Sequence, residues 1–431
     1  MGESEDRSSS ARPSPPLQPR RREGKASVHR ENDLRSILFM AGGFFLIAFW
    51  MHFPGMNPKV YSDLVDTLWP RISAAPGIVP YLDYKLEYPA ISAIVLYASS
   101  LERNLYAFYL SMSAIILGCL LVTVALVYKL LKERGDNPQR IAYFIVFTPA
   151  FIYFSVYSFD WIGAVFMVAS IFFAYRRRAV GSGLSIGLAA AARIIPVLLL
   201  PVLFLEFKSR KNRLLLLASA GGAWLAVNSY FMLTNFAGFL YPYQFQSSFY
   251  AEDSWLNLAS PYAKELSAAL LLFSLALVLY KRRSFSLAEQ SLLVMLAFVA
   301  VSYKFPPQYL VMLLPLFALT GVGYTEFMVA NLLDVTLILW YFTPAFNLGS
   351  AVVVTSPVQW VAFARQFVLY LVFARLIARR GKPEAPTLED ETELEREIPI
   401  PQRRRLGLSR PWLPPVPWTR WPVRRRARAI D

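Results

Sequence analysis

Four carboxylates, Asp63, Asp66, Asp83 and Glu87, crowd the stretch "VYSDLVDTLWPRISAAPGIVPYLDYKLEYP", which lies between two apolar segments. Three cations stand in apolar surroundings elsewhere: Arg193 in "AARIIP", Lys304 in "SYKFPPQY" and Arg365 in "QWVAFARQF". A carboxylate within hydrogen-bond reach can take the proton of a hydroxyl as that hydroxyl attacks. An arginine or lysine can steady a phosphate that departs with negative charge. A carboxylate beside a membrane-embedded cation therefore meets the needs of sugar transfer from a lipid phosphate to a hydroxyl. Trp69, Tyr84, Tyr88, Tyr157, Trp161, Tyr241, Tyr243 and Trp255 offer faces for a sugar, although such positions equally suit the aromatic belts of a membrane interface.

The elements that must position these groups are helices in a bilayer. The 431 residues are 56% hydrophobic and 15% aromatic, with a mean hydropathy of +0.40. Their apolar runs approach the 20 or so residues that a hydrocarbon core about 30 Å thick demands of a helix. Candidate spans are 36–53, 105–131, 140–155, 161–175, a paired segment 181–206, then 214–234, 261–280, 287–303, 308–322, 326–343 and 357–378. The expected fold is all-α and polytopic, with about 11–12 transmembrane or half-membrane helices between residues 36 and 378 and a long first outer loop at 54–104. The sole cysteine, Cys119, excludes internal disulfides and thiol metal sites. Two histidines, His29 and His52, argue against a histidine-based metal centre.

The net charge of +15 sits largely in the tails: half of the 44 Lys and Arg lie in residues 1–35 or from Arg375 onward. No nucleic-acid-binding motif accompanies them. Residues 1–35 read as a disordered basic tail, and 379–431 as a Pro/Arg-rich tail whose interleaved Trp and Arg suit an anionic membrane surface. With the N-terminus inside, the short loops at 129–140, 176–178, 208–213 and 281–283 hold fourteen Lys and Arg on the cytoplasmic side, and the opposite loops hold six. The positive-inside rule thus predicts both termini in the cytoplasm. On that topology residues 88–100 form a juxtamembrane or re-entrant helix, and 181–206 goes up and returns with its turn near "ARIIP", because Pro196 disfavours helix at Ile195.

The outer face then receives Asp63, Asp66, Asp83, Glu87, Glu102, Asp160, Glu252, Asp253 and Glu265, of which Glu102, Glu252 and Glu265 read as simply hydrated. Asp334 and Arg365 lie at equal depth, which also permits a structural ion pair between them. Arg193 has no such evident partner and is placed to meet a buried anion.

Five blocks in order, "VYSDL", "PYLDYKLEYP", "SFDWIGAVFMVASIFFAYRRR", "GLSIGLAAAARIIPVLLLPVLFL" and "SYKFPPQYLVMLLPLFAL", resemble the GT-C membrane glycosyltransferases, in particular glycosyltransferase family 87 with its polyprenyl-phosphomannose-dependent mannosyltransferases. The likeness runs from about residue 36 to 320. It implies inverting transfer of a sugar, mannose by likeness, from a polyprenyl- or dolichyl-phosphate donor to a lipid or glycan acceptor on the non-cytoplasmic side. It implies an acidic residue of the first outer loop as general base, a role that falls on Asp63. The residues themselves place Asp66, Asp83, Glu87 and Asp160, with Tyr61 and Tyr88, at the sugar or acceptor, and Arg193, Lys304 and Arg365 at the donor phosphate. Arg193 stands where the family usually has Lys, and Ala90 follows Tyr88–Pro89 where the family has a second Pro. Asp63 and Asp66 are three apart rather than forming Asp-x-Asp, so no metal and no other cofactor is expected. A secondary transporter or lipid flippase is the rival reading, since it too has broken helices and buried charge, but the chain shows no pair of matching halves.

Overall fold

A computed structural model describes residues 23–379 apart from 58 and 76, with side chains from residue 33 onward; all but the first residue of the expected 379–431 tail, and residues 1–22 of the expected 1–35 tail, lie outside the described residues. In chain order the helices are α1 (Glu23–Met51), α2 (Trp69–Ala74), α3 (Ala90–Ser99), α4 (Leu105–Glu133), α5 (Pro149–Phe154), α6 (Asp160–Tyr175), α7 (Ala179–Ala192), α8 (Leu200–Glu206), α9 (Arg210–Thr234) and α10 (Phe236–Ser248). There follow α11 (Ala263–Tyr280), α12 (Leu287–Val301), α13 (Leu310–Thr320), α14 (Tyr324–Tyr341), α15 (Pro344–Asn347) and α16 (Pro357–Ala378). Among the described residues there is no strand, only isolated bridges at Pro80–Tyr84 and Glu252–Lys304. Among the described residues five helices are long and apolar enough to cross a membrane: α1 from Asp33, α4, α9, α11 and α16. Phe39, Leu214, Leu233, Phe273 and Phe367 point outward from them, as expected of a helical membrane protein whose solvent is lipid.

Local chemistry sets the boundaries. The Asn104 side chain accepts from the amides of Tyr106 and Ala107 and starts α4, while Ser286 and Glu289 form a reciprocal capping box on α12. The expected span 140–155 is not one helix. A π-helical turn at Ala142–Val146 ends at Phe147, and Thr148, pushed to an extended conformation by Pro149, caps α5. The pair at 181–206 does break where expected: α7 ends at Ala192, Arg193 is extended, and a 3₁₀ turn at Ile195–Leu199 leads into α8. Residues 90–99 form the short helix α3 as read, whereas α10 occupies a stretch read as loop. Helix α1 begins at Glu23, inside the segment read as a tail, where Glu, Lys, Ala and Arg favour helix.

The closest seam is between α7 and α9. A Cβ on Gly183 would fall 2.3 Å from the Leu216 carbonyl oxygen, and one on Gly187 would fall 2.2 Å from that of Ala220. This small-xxx-small spacing lets two backbones touch, and it fixes α7 and hence the position of Arg193 at its end.

The bundle has two chemically distinct ends. At one, Arg176 pairs with Glu133, Arg177 with Glu206, Lys132 with Asp33 and Arg375 with Glu326. Arg134 also reaches the carbonyl of Leu319, Arg282 that of Leu205 and Lys281 that of Ile377. Three of the four basic loops of the sequence therefore meet there, and the fourth, 208–213, follows directly on Leu205 and Glu206, to which Arg282 and Arg177 are bonded. The other end gathers the first long loop, the α6 start, the α7–α8 break and the 252–255 and 302–309 segments around one cavity system.

Candidate functional site

Asp63 opens the π-helical turn Asp63–Leu68. Tyr61 donates to its Oδ1 at 3.1 Å, and Tyr88 and Gln308 approach Oδ2 at 3.5 Å. Tyr61 is itself fixed by a close hydroxyl contact to Thr67 and by stacking on Phe342, with ring centroids 4.1 Å apart. Protein surrounds the carboxylate, and what remains accessible faces the cavity. Burial raises its pKa from 3.8 to about 6; the Tyr61 hydrogen bond and the charge of Arg193 pull the other way, and Asp160 and Glu87 add to the rise. A base with that pKa is ionised at neutral pH yet still has appreciable proton affinity.

Arg193 leaves the end of α7 and lies across α6. Its stem needs Gly163, because a Cβ there would come within 2.7 Å of Arg193 Cγ. The guanidinium sits between the rings of Tyr88 and Phe159, 4.7 and 4.5 Å from their centroids. Its Nη2 donates to Ser158 Oγ at 3.1 Å, and its Nε lies 3.0 Å from Asp160 Oδ1. That last contact is an ion pair without hydrogen-bond alignment, for neither Nε nor either Asp160 oxygen has an aligned partner. The expectation that Arg193 lacks a partner is therefore corrected. α6 and α7 are consecutive antiparallel helices, so the start of one and the end of the other must meet, a signal already present in the sequence.

Lys304 and Glu252 form the next pair, Nζ to Oε2 at 2.9 Å, on two backbone segments tied by the bridge at these residues. The Lys304 ammonium lies over the Phe249 ring, and the Tyr341 hydroxyl donates to Glu252 Oε1 at 2.6 Å. Across the first loop, buried Glu87 pairs with Arg71.

These groups line two adjoining cavities. The larger, about 340 Å³, is polar and aromatic and includes Asp63, Glu87, Arg193, Glu252, Asp253 and Lys304 in its wall. The smaller, about 200 Å³, shares Glu87, Tyr88, Arg193 and Lys304 but adds Ile194, Ile195 and Phe298, so its character is more apolar. The two cations thus stand where the cavities join, and Asp63 stands in the polar one.

Of the residues singled out in the sequence, Asp63, Glu87, Tyr61, Tyr88, Arg193 and Lys304 come together here. Four do not. Asp66 is exposed outside the cavity; its Oδ2 accepts from the Ser62 amide at 2.6 Å and closes the turn that carries Asp63. Asp83 accepts from the Val79 amide at 2.7 Å and fastens its own turn. Asp160 stands behind Arg193 rather than in the cavity wall. Arg365 is fully buried away from both cavities, paired with Asp334 and donating to the carbonyls of Asp253 and Phe305 at 3.1 and 2.6 Å, so the structural ion pair is the reading that holds. Conversely Glu252, read as hydrated, belongs to the wall together with Asp253, Thr67 and Gln308. The signal missed was the polar series Gln359, Arg365 and Gln366 in the last span, which needs partners and finds them around residues 253–255. Among the described residues no group of three or more His, Cys, Asp or Glu side chains is arranged to hold a metal ion.

No protein-family model matches the chain, and comparison with curated proteins gives no match either.

Proposed function

We propose that this chain is a membrane glycosyltransferase of the GT-C type that moves a sugar from a polyprenyl- or dolichyl-phosphate carrier to a hydroxyl of a lipid or glycan acceptor. The observation that carries the reading is the shared wall. A carboxylate with raised proton affinity and two cations line one cavity system, one lobe of which is polar and the other more apolar. The phosphate of the donor sits between Arg193 and Lys304, its first isoprene units extend along Ile194, Ile195 and Phe298, and the sugar reaches into the polar lobe. The acceptor oxygen attacks the anomeric carbon and its proton passes to Asp63. The bond from that carbon to the phosphate oxygen breaks and its electron pair stays on the phosphate, where the two cations stabilise it. Attack from the face opposite the leaving phosphate inverts the anomeric configuration. The basic end of the bundle faces the cytoplasm and the cavity end the other side, in keeping with the charge of the loops. Membrane lipids are the surroundings, and mannose is the first sugar to test because of the family resemblance.

The test is transfer of radiolabelled mannose from polyprenyl-phosphomannose to membrane lipid and glycan acceptors by purified protein, with polyprenyl-phosphoglucose in parallel. Product from wild type and a loss of at least about a hundredfold in a monodisperse Asp63→Asn variant are expected for removal of a general base. Equal rates in the two proteins would remove Asp63 from that role. Failure of wild type on both donors would overturn the transferase reading in favour of a transporter or flippase.

A further inference from the structure

The segment Glu252–Trp255 is held more tightly than a loop between helices requires. Asp253 has φ +53°, the left-handed region that side-chain-bearing residues seldom enter. Fully buried side chains of α16 grip its backbone. Gln359 Oε1 accepts from the Asp253 amide at 3.1 Å, Arg365 Nη2 donates to its carbonyl at 3.1 Å, and Gln366 Oε1 accepts from the Trp255 amide at 2.8 Å. Three polar side chains within one apolar helix thus each bond to one short stretch of backbone, while their other polar atoms tie the helix to Asp334, Phe305, Ala351 and Val299. The product of this arrangement is an Asp253 that is 5% exposed and lines the polar cavity. Its Oδ1 receives only a long contact, 3.4 Å, from Gln359 Nε2. Burial and the neighbouring Glu252 raise its pKa to about 7, with Arg365 and Lys304 opposing.

A strained backbone held by over-determined contacts beside a cavity calls for a functional account. The location narrows it. Glu252 and Asp253 line the polar cavity and not the more apolar one, and Glu252 is bonded to Lys304, which lies where the two join. A group next to the phosphate-side cation and inside the polar lobe adjoins the sugar still attached to that phosphate.

We infer that Asp253 is a specificity-determining residue that binds a ring hydroxyl of the donor's sugar, a hexopyranose, with Gln359 and Arg365 as the residues that position it. This inference rests on the proposed transferase reading. A carboxylate accepts hydroxyl hydrogen bonds in a directed, charge-assisted way, and a site built to bond a hydroxyl discriminates against an analogue that lacks it. A purely backbone reason for Asp253, the ease with which Asp and Asn adopt positive φ, makes the opposite prediction: Asn and Gly serve that conformation at least as well.

The experiment measures kcat/KM with polyprenyl-phosphomannose and a set of donors each lacking one ring hydroxyl, for wild type, Asp253→Asn and Asp253→Gly. Wild type is expected to lose about tenfold or more on one deoxy donor, the size of a charge-assisted hydrogen bond. That penalty shrinks in Asp253→Asn and vanishes in Asp253→Gly, while both variants lose a similar factor on the full donor and keep the wild-type KM for acceptor. Wild-type kinetics in both variants, or the same deoxy penalty retained in all three proteins, would overturn the inference and leave the transferase reading standing. Absence of product from wild type on mannose and glucose donors alike would overturn the reading itself and the inference with it. Asp253→Gly keeps the positive φ accessible, so it serves as the deciding variant if the Asn protein is not monodisperse.

Discussion

Two arginine–aspartate pairs are buried in this bundle, Arg193 with Asp160 and Arg365 with Asp334, and they differ in what lies beside them. Arg365 and Asp334 are wholly buried, and the guanidinium is further occupied by the Phe305 ring, 3.9 Å from its centroid, and by two backbone carbonyls. Arg193 carries a similar charge contact, but part of it lines both cavities. A buried charge must be neutralised in either case, because desolvation costs several kcal/mol per ion. Both pairs leave buried polar atoms without an aligned partner, Nε of each arginine among them; the difference is that Arg365 is sealed in protein, whereas part of Arg193 faces a space that a ligand can enter. By that measure Arg365 holds architecture and Arg193 is available for chemistry.

The largest expected effect comes from breaking the closed pair. Arg365→Met leaves Asp334 buried and uncompensated and frees the carbonyls of Asp253 and Phe305, for a loss of about 3–5 kcal/mol of stability. Thermal unfolding in detergent measures it, and the double variant Arg365→Met/Asp334→Leu is expected to recover most of the loss. The open pair responds in activity instead. Arg193→Lys keeps the charge but not the planar fork that spans Asp160, Ser158 and the cavity, so its melting temperature stays near wild type while kcat/KM for donor falls about a hundredfold, a barrier increase of about 2.7 kcal/mol. Equal loss of stability in the two single variants would erase the distinction.

A pH profile sharpens it further. With the Asp63 pKa near 6, kcat/KM is expected to fall about tenfold per pH unit below that value and to level off above it. The stability term runs the other way. Because the folded pKa exceeds the ordinary 3.8, this group's contribution is fully present below 3.8 and is lost as pH rises through about 6. Asp63→Asn should therefore melt higher than wild type at pH 7, by up to about 3 kcal/mol of stability, the worth of such a shift at about 1.4 kcal/mol per pKa unit. The smallest effect is expected at Lys304→Gln, whose partner Glu252 keeps the Tyr341 hydroxyl: a loss of a few-fold in donor kcat/KM that diminishes at high salt, measured by initial rates.

Much of this geometry was legible in the chain before any coordinates. The apolar runs give the helices, the basic loops give an end at which they gather, and Pro196 gives the break beside Arg193. The Asp63 neighbourhood was legible because "VYSD" and "KLEYP" flank one loop. What was not legible depended on distant contacts. Nothing near Asp66 or Asp83 in sequence says that each would turn back to cap its own backbone rather than face the cavity. Glu252 looked like loop polarity because its partners Lys304 and Tyr341 lie 52 and 89 residues away. The helical pattern of 140–155 hid a break because Thr148 and Pro149 act on the backbone without interrupting the apolar run.

Gly163 has no polar side chain, yet the stem of Arg193 lies only 2.7 Å from where its Cβ would be. Added there, a methyl group would meet Cγ, the near end of the arginine, which cannot swing aside without carrying the guanidinium off its ring sandwich. In a survey of tolerated substitutions this glycine should therefore behave as an allele of Arg193. On the proposed transferase reading the defect would be one of activity, and it would arise at a position that no inspection of functional groups would nominate.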